Sequence, residues 1–337
     1  MKYLVLITVL SFAIPSVKAQ ENINDLLAAG IQDAKTFSQA YSAPSAEGLA
    51  HGINNGWFNN VKSPKRFTIE VSVIGNVGFI KNDQKSFEMN VADYQNIRFQ
   101  DGSSSKTVAT ALGDNDPDIS VIITYDDPIF GNQETELVLP TGIGSEGINL
   151  IPTGFLQAGF SPFKGTQIKG RYVPKIKTDD VELGLYGIGL QQEFTSWLPA
   201  DKILPVAISG LIAYTHLDGS YDFTDAEIVE GANQRIDTDV NTVLFELIVG
   251  TKLKIINFYG GLGYITGKSQ TDLLGTYRVT DGLLFSEEIK DPFSIEHDIS
   301  GLRATIGANL KVGFFGLTAD YTVAEFDSAT LGINFSI

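Results

Sequence analysis

Ser328-Ala329-Thr330-Leu331-Gly332-Ile333-Asn334-Phe335-Ser336-Ile337 closes the chain. Ala329, Leu331, Ile333, Phe335 and Ile337 alternate with small or polar neighbours, so one face is apolar and the other is polar or glycine. That period of two belongs to a strand and not to a helix. Upstream, Ala304, Ile306, Ala308, Leu310 and Val312 alternate with Arg303, Thr305, Gly307, Asn309 and Lys311. Leu317, Ala319, Tyr321 and Val323 alternate with Thr318, Asp320 and Thr322. The pattern begins at Phe67, with Ile69, Val71, Val73, Val77 and Phe79 set against Thr68, Glu70, Ser72 and Asn76. Segments of about ten residues suit a tilted strand that crosses a membrane.

A soluble sandwich also alternates, and the connections discriminate between the two. The turns at 162–165, 198–202, 254–257 and 314–316 are short; in the alternate set 326–327 is short, whereas 175–180, 217–239 and 268–297 are longer and acid-rich. Bacterial barrels place short turns in the periplasm and long loops outside. The strands read as 67–80, 85–99, 118–125, 134–139, 150–161, 166–173, 181–197, 204–216, 240–253, 258–267, 300–313, 316–325 and 329–337. A single-chain bacterial barrel has an even number of strands, so this count of thirteen is off by at least one. Either Trp57-Phe58 is a strand, or 273–279 belongs to the wall, or weak early segments are loop. The expected fold class is an all-β transmembrane antiparallel barrel of 12–14 strands. Tyr214, Tyr221, Tyr264, Tyr277 and Phe335 lie near strand ends, as interfacial girdles require.

The chain has 337 residues, 43% hydrophobic and only 19% charged, with 34 Gly and no Cys. The net charge of −16 argues against nucleic acid as a partner, because phosphate contacts need clusters of Lys and Arg. The lack of Cys removes thiol catalysis, disulfides and Cys-ligated metals. At the N-terminus, Lys2 precedes an apolar run from Leu4 to Ile14, then Pro15 and Val17-Lys18-Ala19. This is the layout of a cleaved export signal over residues 1–19, and the run is too short for a spanning helix. With no other long apolar stretch, a membrane location requires a closed barrel.

Residues 20–62 form a leader without strand character, followed by the barrel over 63–337. Asn24 is a candidate cap for a helix through Leu26, Leu27 and Ala34 toward Ala40. Tyr41-Ser42-Ala43-Pro44 then breaks the pattern, and a second short helix follows over 45–51. Leu26, Leu27, Ile31 and Phe37 make a narrow apolar stripe that needs burial. The barrel lumen is the favoured place and a periplasmic partner the other, because the first strand starts only about ten residues beyond Trp57-Phe58.

Tyr41-Ser42-Ala43-Pro44 through Asn54-Asn55-Gly56-Trp57-Phe58, followed by a barrel, resembles the uncharacterised outer-membrane barrel families of the Bacteroidota. More remotely the layout is similar to long-chain fatty-acid transporters, in which a helical N-terminal hatch fills a 14-stranded barrel. The Asn-Pro-Ala motif of that hatch is missing here, so no ligand residues carry over. The resemblance implies the outer membrane of a Gram-negative bacterium, with membrane lipid and the outer-membrane assembly machinery as partners. The aromatic and apolar ending at Phe335 and Ile337 resembles the signal that machinery reads. A channel or transporter for small hydrophobic molecules is the first function implied, and a non-transport scaffold or anchor the second.

Catalytic chemistry has few candidates. His51, His216 and His297 stand at no catalytic spacing, and no Gly-x-Ser-x-Gly elbow is present. Asp114-Asn115-Asp116-Pro117-Asp118 is half of a calcium loop without its glycine and its terminal acid. No enzyme activity, metal or cofactor is expected. The candidate lumen-lining residues are Arg171, Glu246, Arg303, Lys311 and Asp320, each on the polar face of its strand. Such charges either set the selectivity of a pore or hold a salt-bridged plug.

Overall fold

The computed structural model describes residues 26–62, 65–127, 131–178, 180–197, 205–222, 231–281 and 285–337. The export signal and the Asn24 cap lie outside the described residues. Ten strands close into an antiparallel ring. In order around the wall they are β1 (Ile69–Phe79), β7 (Leu150–Phe160), β8 (Thr166–Lys177), β9 (Val181–Glu193), β10 (Val206–Asp222), β11 (Gly231–Thr251), β12 (Ile256–Asp281), β14 (Phe293–Val312), β15 (Phe315–Val323) and β16 (Ser328–Ser336). The first strand pairs with the last, Val73 opposite Ile333, so the wall has no free edge. No helix among the described residues is long and apolar enough to cross a membrane.

The count of ten corrects the expected 12–14. Ten of the thirteen segments read from the sequence are wall strands. The other three leave the ring between β1 and β7. There β2 (Ser86–Asn90) pairs with β4 (Ser105–Ala109), and β3 (Ile97–Phe99), β5 (Ser120–Asp127) and β6 (Gly131–Val138) make a second small sheet. These strands bury Met89, Phe99, Val121, Ile123 and Leu137 in a core shared with Leu27 and Phe37 of the leader and Leu273 and Tyr277 of β12, which forms a cap on the loop end of the barrel. The segment Trp57-Phe58 is not a strand. Residues 273–279 belong to the long β12, which pairs there with β11 and with β13 (Phe285–Lys290).

Strand length follows the solvent. β1, β7, β15 and β16 run 9 to 11 residues, the reach of a membrane crossing, but β10, β11, β12 and β14 run 17, 21, 26 and 20. Much of what reads as long acid-rich loop is therefore strand that projects past the membrane. Beyond the lipid no apolar outer face is required, so the alternation fades while the ladder continues.

The outside of the ring is apolar. Leu262, Leu302, Ile306, Leu331, Ile188 and Leu247 point out and are exposed. At the end with short turns, Phe67, Phe163, Trp197, Phe258 and Phe314 form an exposed aromatic belt. Phe79, Tyr172, Tyr186, Tyr264 and Tyr321 form a second belt. Tyr277 is not in a belt, because its ring is fully buried against the cap. Ile306 is 70% exposed on the lipid face, so Ile306→Arg should cost about 2–4 kcal/mol and lower the yield of heat-modifiable, folded barrel on gels. Thr305 faces inward, 7% exposed, with its hydroxyl 2.8 Å from that of Thr322. An arginine there meets a filled interior, so Thr305→Arg should be disruptive as well.

Among the described residues, a short helical turn at 26–28 precedes Gly30, and α1 (Ile31–Ile53) then runs without a break at 41–44, where the sequence suggests one. Pro44 lies inside it without ending it. A proline frees backbone carbonyls in the preceding turn. The Tyr41 carbonyl is taken by the Ala111 amide at 2.9 Å, and the Ser42 and Ser45 hydroxyls donate to the carbonyls of Ser38 and Ser42 at 2.7 Å. Leu26 and Leu27 sit in a separate turn before Gly30, so the expected stripe is not continuous. Leu27 and Phe37 are buried in the cap core, whereas Ile31 is 42% exposed.

Candidate functional site

The leader runs from the cap into the ring. At the top, the Asp33 carboxylate accepts the amides of Gln95 and Asn96 at 2.8–3.0 Å, and Tyr41 donates to the Thr141 carbonyl at 2.9 Å. Below, Asn54-Asn55-Gly56-Trp57-Phe58-Asn59-Asn60-Val61 turns inside the barrel and touches the wall on every side. Asn54 Nδ2 donates to Thr242 on β11 at 2.7 Å, and its Oδ1 accepts from Thr215 on β10 at 3.0 Å. Asn55 Nδ2 reaches Asn76 on β1 at 3.0 Å and Ser328 on β16 at 2.9 Å. Asn59 Nδ2 reaches Glu70 on β1 at 2.7 Å and Asn334 on β16 at 2.9 Å. Both asparagines therefore bridge the seam where the ring closes.

Two aromatic side chains fill the remaining space. Trp57 is 1% exposed and lies over Gly187 and Gly189 of β9, where a Cβ would come within 3.0 Å of the indole. Phe58 lies over Gly261 of β12 and makes an edge contact with Tyr259 at 5.4 Å between centroids. The wall glycines thus leave room for a packed interior. Gly56 has φ +70°, and a side chain there would also strike Ile74.

The candidate lumen residues fall on this frame. Arg171 is fully buried between the rings of Trp57 and Phe155, with its guanidinium carbon 4.1 and 3.6 Å from their centroids. It donates to the carbonyls of Ile53 at 2.5 Å and Asn55 at 2.8 Å, and to Gln157 at 3.0 Å. Arg303 pairs with Glu246 at 3.0 Å and donates to Asn55 Oδ1. Asp320 accepts from Tyr259 at 3.2 Å. Lys311 shares the inward face of β14 with Arg303 but is half-buried at the short-turn end, away from this network. The sequence reading omitted Lys169, which is 1% exposed and donates to the Trp57 carbonyl at 2.7 Å. A lysine two places before Arg171 on one strand face was the available signal.

Above the lumen, α1, the cap and the extended wall border a cavity of about 430 Å³ that is about half open to solvent. Its lining is mainly apolar, with Phe37, Leu49, Ile143, Ile151, Leu273 and Ile295 on its sides. Nearby, His297 Nε2 lies 3.0 Å from Ser42 Oγ. The Ser42 hydroxyl hydrogen goes to the Ser38 carbonyl, so the histidine donates to the serine. That is the reverse of a base that activates a nucleophile. His216 faces outward, and His51 is buried in the lumen. In the acidic run, Asn115 is buried and ties the Ala109 amide to the Pro140 carbonyl. No group of three or more potential metal ligands occurs among the described residues.

A closed antiparallel wall, apolar outside and filled by its own N-terminal segment, defines a plugged transmembrane β-barrel. The chain belongs to the family of unknown function DUF6588, whose model matches residues 1–337. No curated protein matches it. Among solved structures it is similar to the outer membrane protein OprG from Pseudomonas aeruginosa (6% identity, TM-score 0.33, 82% of this chain and 99% of that one). It is also similar to the translocator domain of the autotransporter NalP from Neisseria meningitidis (10%, TM-score 0.29, 89% and 96%). A third is the transport unit of the autotransporter AIDA-I from Escherichia coli (9%, TM-score 0.32, 89% and 99%).

Proposed function

We propose that the chain is an outer-membrane barrel of a Gram-negative bacterium that takes up small hydrophobic molecules, with its leader as a movable plug. The supporting observation is the apolar cavity between α1 and the wall. The helix that borders the cavity is continuous with the turn that fills the lumen, so a molecule bound above touches the element that blocks passage below. In this reading residues 1–19 are the export signal, 20–62 the plug and 63–337 the barrel, with the cap inserted between β1 and β7. Both ends of the wall and its short turns face the periplasm, and the cap and acid-rich hairpins face outward. Arg171, Glu246, Arg303 and Asp320 serve to seat the plug, and Lys311 lines the periplasmic mouth. The assembly machinery reads the last strand.

A second reading, a non-transport scaffold, is favoured by the dense polar network around residues 53–61. A reversible lock separates the two. A Cβ on Gly52 would lie 2.9 Å from Thr153 Cγ2, close to the reach of a disulfide, and the chain has no Cys to interfere. In cells carrying Gly52→Cys with Thr153→Cys, uptake of the fluorescent hydrophobe 1-N-phenylnaphthylamine through the barrel should stop on oxidation and return with reductant. Uptake that is indifferent to the lock would leave the scaffold reading.

A further inference from the structure

The lining of the cavity holds several hydroxyls but, among the described residues, no Asp, Glu, Lys, Arg or His. Most of the hydroxyls are already engaged. Ser42 and Ser45 donate to carbonyls of their own helix, Tyr41 to the Thr141 carbonyl, and Thr238 and Thr271 lie 3.3 Å apart on neighbouring strands. Ser269 differs. Its side chain lines the cavity, is fully buried, and its Oγ has no hydrogen-bond partner. Ser269 sits on β12 opposite His297 on β14, so it faces α1 from the wall.

A buried hydroxyl without a partner is disfavoured unless something else supplies one. Here the open side is the cavity. A ligand oxygen placed there would meet the Ser269 hydroxyl on the wall, across from the Ser38 hydroxyl of α1, while the rest of the molecule lay against Phe37, Leu273, Phe293 and Ile295. A carboxylate beside Ser269 would lose part of its hydration and meet no lysine or arginine in the lining, only the His297 ring on the neighbouring strand, which already bonds to Ser42, and burial of an unpaired charge is disfavoured.

Building on the proposed role of the cavity as a ligand site, we infer that it selects uncharged amphiphiles. The ligand is an apolar body with one alcohol or carbonyl oxygen, which hydrogen-bonds to Ser269. The site discriminates against fatty-acid carboxylates of the same length. Charge selection is therefore built into the outer chamber and does not depend on the lumen arginines.

The test uses the full chain in amphipol, with radiolabelled 1-dodecanol as probe and dodecanoate at pH 8 or dodecane as competitors. Dodecanol should bind saturably, and dodecanoate should compete at least tenfold less well. Ser269→Ala should weaken dodecanol roughly tenfold, the worth of about one hydrogen bond, and weaken dodecane, which has no oxygen, less than twofold. Ala46→Phe, which puts a ring into the cavity, should remove all binding, with heat-modifiable gel migration as the check on folding. Dodecanoate binding as tightly as dodecanol, or an equal loss for dodecanol and dodecane in Ser269→Ala, overturns the selectivity and leaves the hydrophobic site standing. No saturable binding of any probe overturns both.

Discussion

Arg171→Ala should turn a closed barrel into a conducting one. The guanidinium holds two backbone carbonyls of the plug and is clamped between Trp57 and Phe155. A desolvated cation over an aromatic face contributes about 2 kcal/mol, and each buried carbonyl left without a donor costs about 1–3 kcal/mol. The loss is on the order of 4 kcal/mol or more, which shifts the balance between seated and unseated plug about a thousandfold. Single-channel recording in planar bilayers reads this directly, as long open events that the native barrel lacks. Arg171→Lys should fall between the two, because an ammonium keeps the charge but not the planar fork that reaches both carbonyls. A variant as silent as the native protein would show that Arg171 does not hold the plug.

The second large effect concerns Arg303 and Glu246, a pair at 3.0 Å whose side chains are almost wholly buried. Removal of one partner leaves the other charge stranded, at a cost of about 3–5 kcal/mol. Arg303→Met should therefore lower the temperature at which the folded band is lost on gels, and Glu246→Leu should do the same. The combination Arg303→Met with Glu246→Leu should recover most of that loss, since apolar replacement of both partners is often close to neutral. The recovery will be incomplete, because Arg303 also donates to Asn55. Additive losses in the double variant would mean that the two groups act independently.

The wall was legible in the sequence because lipid imposes a strict rule: Ile306, Leu331 and Ile333 must face out, and Thr330 and Asn334 must not. Where the lipid stops, so does the rule. β12 continues to Asp281 through Thr271, Asp272 and Thr276, a stretch wet enough to read as loop. The cap misled in the opposite direction. Its strands alternate because each small sheet has a buried face, and nothing in 118–125 tells that face from a lipid-facing one. The lumen was half legible. Arg171, Glu246, Arg303 and Asp320 stand out as charges on polar faces, but the two arginines reach the backbone carbonyls of Ile53, Asn54 and Asn55 and the Asn55 side chain, in a segment that reads locally as turn formers. No local pattern announces that a turn will be wrapped by strands up to 275 residues further along.

A closed β-barrel has one junction that the chain does not join covalently, the ladder between β1 and β16. Here Asn55 and Asn59 each grip both sides of it. The leader therefore acts as an internal splint, adding side-chain bonds to the backbone ladder at the place where the cylinder would otherwise unzip. It also orders the birth of the barrel. The splint can engage only when the last strand arrives, so completion of the wall and seating of the leader are one event, and a cylinder sealed without its leader would be held at that junction by its ladder alone.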